Sequence, residues 1–144
     1  MDETIRVGCG AVIMQNDKIL LLKRVRAPEA EHWGIPGGKV DWLETLEQAV
    51  KREIMEEVGL HLDKLELLLN VDQIDADKGE HWVAPVYWVR SFTGQPVVQE
   101  PEKHSGMDWF ALDQLPEPLT VATQAAVAAL KQRTLDSGAA LTPR

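Results

Sequence analysis

The sequence GGKVDWLETLEQAVKREIMEEVGL occupies residues 37–60. Its second half predicts a helix, because apolar residues recur there at helical spacing and mark a buried stripe. The residues of this stripe are Leu46, Ala49, Val50 and Ile54. Thr45 is a candidate N-cap for the helix. Gly59 follows the last periodic residue, where a left-handed C-cap suits glycine.

Three carboxylates lie on this predicted helix, at Glu53, Glu56 and Glu57. At roughly 100° per residue they share an arc of about 100°, so they point into one region. Like charges at this spacing repel each other, and the last turns of a helix favour cations. Hard divalent cations prefer carboxylate oxygens, and Mg²⁺ usually brings a phosphate-bearing substrate with it. The cluster therefore indicates a metal site, with a solvated acidic helix face as the alternative.

The residues before the helix support the metal interpretation. Pro36, Gly37 and Gly38 predict a tight turn, whose bare backbone can place a carbonyl oxygen next to an ion held by the helix. Arg52 can pair with a neighbouring carboxylate and fix its rotamer. Glu44 sits at the predicted start of the helix, where a carboxylate complements the dipole.

This stretch resembles the signature of the Nudix hydrolases. That signature is Gly, five residues, Glu, seven residues, Arg-Glu, an aliphatic residue, any residue, Glu-Glu, any residue, Gly and an aliphatic residue. Every defined position is matched, by Gly38, Glu44, Arg52, Glu53, Ile54, Glu56, Glu57, Gly59 and Leu60. So many fixed positions in one short window are a specific signal. The wider resemblance runs from about residue 6 to residue 130 and is closest to the MutT-like group, which acts on nucleoside triphosphates.

The order of predicted elements favours an α+β domain. Alternating and continuous apolar runs predict strands over residues 5–14, 18–24, 65–74, 81–90 and 105–111, and a closing helix over about residues 121–135 that Thr120 can cap. Pro85 predicts that its strand lies at a sheet edge or contains a bulge. The resemblance implies a Nudix-type α/β/α sandwich, with a mixed β-sheet between helices. We expect one domain over residues 1–144, with a core over about residues 5–135 and a flexible tail at residues 137–144.

Composition and charge limit the partners. The net charge of −8 argues against binding a nucleic acid polymer. It also opposes a polyanionic substrate unless cations reverse the local field. Cys9 is the only cysteine, so an intrachain disulfide is excluded, and we expect it to pack in the core. The acidic start of the chain is not a secretory signal, and no apolar run is long enough to span a membrane. We therefore expect no membrane partner and a cytoplasmic location.

The resemblance implies a metal-dependent hydrolase that cleaves a phosphoanhydride bond in a nucleoside diphosphate linked to a further group X. It implies metal binding by Glu53, Glu56 and Glu57, with the carbonyl of Gly38 as a further ligand. The implied cofactor is Mg²⁺, which Mn²⁺ can replace. Glu53 is the first candidate for the base that takes a proton from water, and Arg52 is expected to orient it.

The resemblance also implies that a glutamate from a later loop approaches the metals. Glu102 is the expected residue, as a metal ligand and as the second candidate for the catalytic base. Glu100 is its competitor in the same loop.

The substrate pocket lies outside the signature. Arg24 ends a strand and is either solvated or in contact with phosphate. Aromatic residues are candidate pocket walls, although core packing explains most of them; these residues are Trp33, Trp82, Tyr87 and Trp109. Within the family, ADP-ribose enzymes commonly carry a proline, and dinucleoside polyphosphate enzymes a tyrosine, shortly after the signature. Residues 72–79 contain neither.

We therefore expect the substrate to be a (deoxy)nucleoside triphosphate, oxidised forms included, with a monophosphate and pyrophosphate as products. ADP-ribose or another nucleoside diphosphate derivative is the alternative substrate. A non-catalytic, nucleotide-sensing module is the alternative of another class. A homodimer is common among similar proteins.

Overall fold

The computed structural model describes residues 3–137. In chain order these residues form β1 (Ile5–Gln15), β2 (Lys18–Arg24), β3 (Trp33–Gly34), β4 (Gly37–Lys39), α1 (Leu46–Val58), β5 (His61–Asp75), β6 (Glu80–Thr93), β7 (His104–Ala111) and α2 (Val121–Ser137). The strands predicted from the sequence are present, but β5 and β6 are longer than expected. Of the predicted tail, residues 138–144 lie outside the described range.

Within residues 3–137 the strands form one mixed sheet. Its order is β3-β2-β1-β6-β5, with β4 paired to β1 and β7 paired to β2. β1 and β6 run parallel, whereas the other pairs are antiparallel. β5 and β6 form a hairpin whose turn contains Gly79 at φ 67°. No helix in the described range is both long and apolar enough to cross a membrane.

Helices cover both faces of the sheet. Because side chains alternate along a strand, β1 contributes to an apolar core on each face. Ala11 and Ile13 join the core beneath α1, and Val12 and Met14 join the core beneath α2. The arrangement is the α/β/α sandwich with a mixed sheet that the sequence led us to expect, so this prediction is confirmed.

The β5–β6 ladder has a register shift next to the Asn70–Pro85 pair, which agrees with the predicted bulge. The alternative place at a sheet edge is wrong, because Pro85 lies in an inner strand. It belongs to β6, which lies between β1 and β5 and pairs with both. The ladder between β1 and β6 is interrupted at this point, because Val7 pairs with Val83 and the next pair is Gly10 with Val86. A proline without an N–H is tolerated where the ladder needs no donor.

The start and end of α1 agree with the prediction. The hydroxyl of Thr45 accepts the N–H of Gln48 at 3.1 Å, and the Gln48 side chain accepts the N–H of Thr45 at 2.9 Å, which forms a capping box. Gly59 ends the helix in the left-handed conformation, with φ 73°. Leu46 was expected in the buried stripe but is 40% exposed; it is the first residue of α1.

The C-cap of α1 provides a test of this local structure. Gly59→Ala should lower the free energy of unfolding by about 1–2 kcal/mol, because a β-carbon is unfavourable in the left-handed conformation. Gly59→Asn is the control, since asparagine adopts this conformation more readily, and it should lose less. Urea unfolding measures both. Equal losses would instead implicate crowding with Gln99, whose side chain lies against this position.

Candidate metal and substrate site

Gly37 and Gly38 do not form the predicted tight turn; they begin β4, which packs against α1. In β4, Gly38 stands opposite Cys9 of β1. A β-carbon on Gly37 would overlap the backbone carbonyl of Cys9, so this position requires glycine. A β-carbon on Gly38 would overlap the carboxylate of Glu53, which a side chain there would displace.

Glu57 is a buried carboxylate beside β4. It is 6% exposed, and its Oε1 accepts the N–H of Gly37 at 2.7 Å. Burial raises the pKa of Glu57 to about 8, and the charges of Glu53 and Glu100 act in the same direction, whereas the Gly37 N–H lowers it. A carboxylate whose ionisation is unfavourable in this way has much to gain from a nearby cation.

Arg52 binds several of the surrounding acidic groups at once. Its Nε and Nη2 donate to the two oxygens of Glu44 at 2.7 and 3.0 Å, and its Nη1 donates to Oε1 of Glu53 at 2.8 Å. The guanidinium holds the pKa of Glu44 down at about 2. Glu44 precedes the N-cap Thr45, so its main partner is Arg52 rather than the helix dipole. The expected contact between Arg52 and Glu53 is present in the structure.

The three signature carboxylates of α1 do not converge on one point. Glu56 is exposed and lies 3.4 Å from the same Arg52 nitrogen that contacts Glu53, whereas Glu57 turns toward Gly37. Accordingly, among residues 3–137 no three acidic, His or Cys side chains are already grouped as in a formed metal site. Arg52 supplies the positive charge between two of the carboxylates.

The donor chemistry nevertheless fits a hard divalent cation. Glu53 lies against Gly38 and Glu57 against Gly37, and both offer carboxylate oxygens. The carbonyl oxygen of Gly38 lies beside Gly8, because a β-carbon added to Gly8 would come within 3.2 Å of that oxygen. Both glycines line the same cavity. Carboxylate and carbonyl oxygens are the ligands that Mg²⁺ and Mn²⁺ prefer.

A cavity of about 700 Å³ opens on the α2 side of the sheet, next to this group. This volume is typical of small-molecule sites. At the end near α1 it is lined by Gly37, Gly38, Glu57, His104 and Arg24. Its lining also includes Arg6, Gln73, Asp75, Glu80 and Trp82. The ring of Trp82 lies close to the signature, because a β-carbon on Gly8 would come within 3.7 Å of Cε3 of Trp82 and within 3.2 Å of the Gly38 carbonyl oxygen.

The expected substrate-binding residues divide into two groups. Arg24 and Trp82 line the cavity. Trp33, Tyr87 and Trp109 do not line it. Trp33 packs edge-on against Phe110 with ring centroids 5.1 Å apart, Trp109 stacks with Phe92 at 6.2 Å, and Tyr87 is buried in the core beneath α1. The geometry explains these three by packing and offers no support for a substrate contact.

The loop before β7 favours Glu100 over Glu102 as the loop glutamate that approaches the signature carboxylates. Glu102 is exposed, whereas Glu100 is partly buried and its charge contributes to the raised pKa of Glu57. The carbonyl of Glu100 accepts the N–H groups of Lys103 and His104, which fixes the turn. The first choice made from the sequence, Glu102, therefore has less structural support than its competitor.

His104 is a site residue that the sequence did not indicate. It is 6% exposed, and its Nε2 lies 3.4 Å from Oε2 of Glu57. Burial lowers the pKa of His104, so the contact joins a neutral imidazole to Glu57 and is not an ion pair. His104 reaches this position because β7 pairs with β2, where His104 stands opposite Arg24. No local sequence signal reveals this strand pairing.

The NUDIX domain family matches residues 4–130 of the chain. The chain belongs to the Nudix family. A crystal structure of the MutT NUDIX hydrolase from Burkholderia pseudomallei is 59% identical, covers 88% of this chain and 98% of its own, and superposes with a TM-score of 0.87. The resemblance seen in the sequence is thereby confirmed. Nudix hydrolases generally use divalent metal cations.

Two curated relatives carry functional names. The ADP-ribose pyrophosphatase of Methanocaldococcus jannaschii is 35% identical over 112 residues, which are 77% of this chain and 64% of that protein. The 8-oxo-dGTP diphosphatase of Haemophilus influenzae is 31% identical over 114 residues, which are 76% of this chain and 79% of that protein. This Nudix chain thus spans slightly less than two thirds of the archaeal relative.

The burial of Glu57 makes a prediction about the metal-free protein. The pKa of Glu57 rises from its ordinary value of 4.5 to about 8 on folding, so the folded state binds the proton more tightly between these values. Stability should therefore fall as the pH rises from about 4.5 to 8. Glu57→Gln should remove this loss of stability. Its free energy of unfolding should exceed that of the wild type by more than about 1 kcal/mol at pH 8 in EDTA.

Chemical denaturation across this pH range measures the effect. Glu56→Gln is the matched control, because Glu56 is half exposed and paired with Arg52, and it should gain no stability. A Glu57→Gln variant that tracks the wild type at every pH would contradict the assigned burial cost.

Proposed function

We propose that this chain is a divalent-metal-dependent hydrolase that converts a (deoxy)nucleoside triphosphate to a monophosphate and pyrophosphate. One observation carries the proposal: a complete Nudix signature folds with Glu53 against Gly38 and Glu57 against Gly37, and Gly37, Gly38 and Glu57 line a cavity of nucleotide size. Trp82 lines the same cavity and would be available to stack on the base of a nucleotide bound there.

The metal would be held by the carboxylates of Glu53, Glu56 and Glu57 together with the carbonyl of Gly38. Mg²⁺ is the proposed ion, and Mn²⁺ can replace it. When bound, such an ion neutralises phosphate charge and lowers the pKa of a water molecule. The net charge of −8 makes this neutralisation necessary for a polyanionic substrate.

The protein groups then position and deprotonate the attacking water. Arg52 fixes the carboxylate of Glu53 at 2.8 Å, so Glu53 is the proposed base. Water forms a bond to phosphorus, its proton passes to Glu53, and the phosphoanhydride bond breaks so that the leaving group departs with the bonding electrons. Phosphoryl transfer depends mainly on positioning and electrostatics. These residues therefore need only to hold the catalytic carboxylate in place and to neutralise the phosphate charge through the bound ion.

A loop glutamate would assist at the same site. Of the two candidates we propose Glu100 before Glu102, because the charge of Glu100 acts on Glu57. Arg24 lines the cavity near Glu57 and is suited to contact a phosphate oxygen.

Two other functions remain as alternatives. ADP-ribose is favoured by the name of the 35% identical relative, but residues 72–79 lack the proline expected of such enzymes. A nucleotide-sensing module without catalysis is disfavoured, because every glutamate of the signature is retained.

Among triphosphates, an oxidised purine such as 8-oxo-dGTP is favoured by the name of the second relative. A homodimer, a cytoplasmic location and the lack of a nucleic acid partner stay predictions.

A panel of nucleotides tests the proposal directly. The chain is incubated with Mg²⁺ and ordinary triphosphates, oxidised triphosphates or ADP-ribose, with EDTA as the blank. Pyrophosphate release from a triphosphate supports the proposal. AMP and ribose phosphate from ADP-ribose alone would favour the first alternative, and tight nucleotide binding without any product would favour the sensing module.

The metal-binding carboxylates make a second prediction. Glu56→Gln and Glu57→Gln should each lower kcat by two or more orders of magnitude at limiting Mg²⁺, because each removes a charged ligand without creating a cavity. Glu66→Gln is the control: it makes the same charge change at a site that pairs with Arg133, and it should retain wild-type turnover. Wild-type turnover in both signature variants would refute the assignment.

The aromatic residue of the cavity wall makes a third prediction. Trp82→Ala should raise KM by about tenfold or more with little change in kcat, because stacking on a base contributes about 1–3 kcal/mol. Trp42→Ala is the control, since Trp42 is 89% exposed and does not line this cavity. Steady-state kinetics decides, and an unchanged KM in Trp82→Ala would place the base elsewhere.

A further inference from the structure

His104 reaches the most buried carboxylate of the signature from a strand distant in sequence. It is the first residue of β7 and pairs with Arg24 of β2, where the register shifts between Lys23 and Arg24. His104 and Glu57 are each 6% exposed and both line the cavity. Nε2 of His104 lies 3.4 Å from Oε2 of Glu57.

The carboxylate of Glu57 is therefore approached by protein groups at both oxygens. Oε1 accepts the N–H of Gly37 at 2.7 Å, and Oε2 faces the imidazole of His104. These contacts come from β4 and β7, which lie apart in the sequence. The hydrogen bond at one oxygen and the 3.4 Å contact at the other together restrict the rotation of this carboxylate.

Packing alone does not explain a histidine at this position. Its Nδ1 is buried and has no hydrogen-bond partner among the described residues. An unsatisfied buried polar atom is unfavourable, and an apolar side chain of similar size would fill the same space without it. The imidazole is better explained by the contact of Nε2 with Glu57 than by its contribution to the core.

We propose that His104 is a positioning residue, which holds the carboxylate of Glu57 in the orientation that binds the divalent cation. The inference rests on the proposed function for the nature of that cation. Ligating carboxylates are commonly oriented by a second protein group, and loss of that group typically costs about 10–100-fold in metal affinity or activity. In this role His104 acts through Glu57 and does not contact the substrate.

Mn²⁺ binding to the full chain without nucleotide tests the proposal. His104→Leu removes the contact and retains the bulk, and it should weaken Mn²⁺ binding at least tenfold by calorimetry or electron paramagnetic resonance. His104→Gln carries an amide nitrogen at a similar reach and should stay within about threefold of the wild type. Trp88→Phe is the control, because Trp88 also buries an unpartnered ring nitrogen but lies in the core beneath α2; it should bind normally.

Metal activation provides the second readout. The Mg²⁺ concentration for half-maximal activity should rise in His104→Leu by the same factor, while kcat at saturating Mg²⁺ stays within a few-fold of the wild type. Wild-type Mn²⁺ affinity in His104→Leu would overturn the proposal, and so would equal weakening in the Leu and Gln variants. If His104→Leu does not fold, His104→Asn, which is too short to reach Glu57, takes its place with the same expected loss.

The two proposals fail separately. A wild-type chain that releases no product from any nucleotide would overturn the proposed function, yet the Mn²⁺ titration could still support the role of His104. Conversely, triphosphate hydrolysis with unchanged Mn²⁺ affinity in His104→Leu would leave the function intact and remove the positioning role.

Discussion

The hydrogen bond from the N–H of Gly37 to the carboxylate of Glu57, 2.7 Å long, joins the two parts of the chain on which the site depends. It requires glycine at the start of β4, because a β-carbon on Gly37 would overlap the carbonyl of Cys9. It also buries an acid near the end of a helix whose dipole disfavours negative charge. Neither feature favours stability, and the proposed metal site would explain both.

Positive charge is distributed unevenly around this contact. Arg52 pairs with Glu44, Glu53 and Glu56 and so offsets most of the repulsion among the signature acids. Among residues 3–137, the one ion-pair contact of Glu57 is with His104. Burial lowers the pKa of His104, which favours its neutral form. Glu57 is therefore the signature carboxylate with most to gain from an added cation. In the proposed function, this asymmetry would let the protein fold without metal and still favour metal binding at Glu57.

The parts of the fold that depend on neighbouring residues could be predicted from the sequence. Thr45 and Gly59 bound α1 as expected, because capping depends on local hydrogen bonds and on the φ angle of one residue. The parts that depend on strand register could not. Pro85 entered an inner strand because the β1–β6 ladder is interrupted there, and His104 reached Glu57 because β7 pairs with β2. Choosing between Glu100 and Glu102 likewise needed the shape of a loop that local patterns do not fix.

One strand explains why the cavity lies beside the signature. Side chains alternate along β1, so Gly8, Gly10, Val12 and Met14 share the face that α2 covers. Val12 and Met14 fill the core there, and the two glycines are buried as well. An added β-carbon would come within 3.2 Å of the Gly38 carbonyl oxygen at Gly8 and within 3.1 Å of Ile35 at Gly10. Because β4 pairs with β1 at these glycines, their lack of side chains lets Gly37 and Gly38 lie close to β1. The carbonyl of Gly38 and the carboxylate of Glu57 are thereby placed at the wall of the cavity.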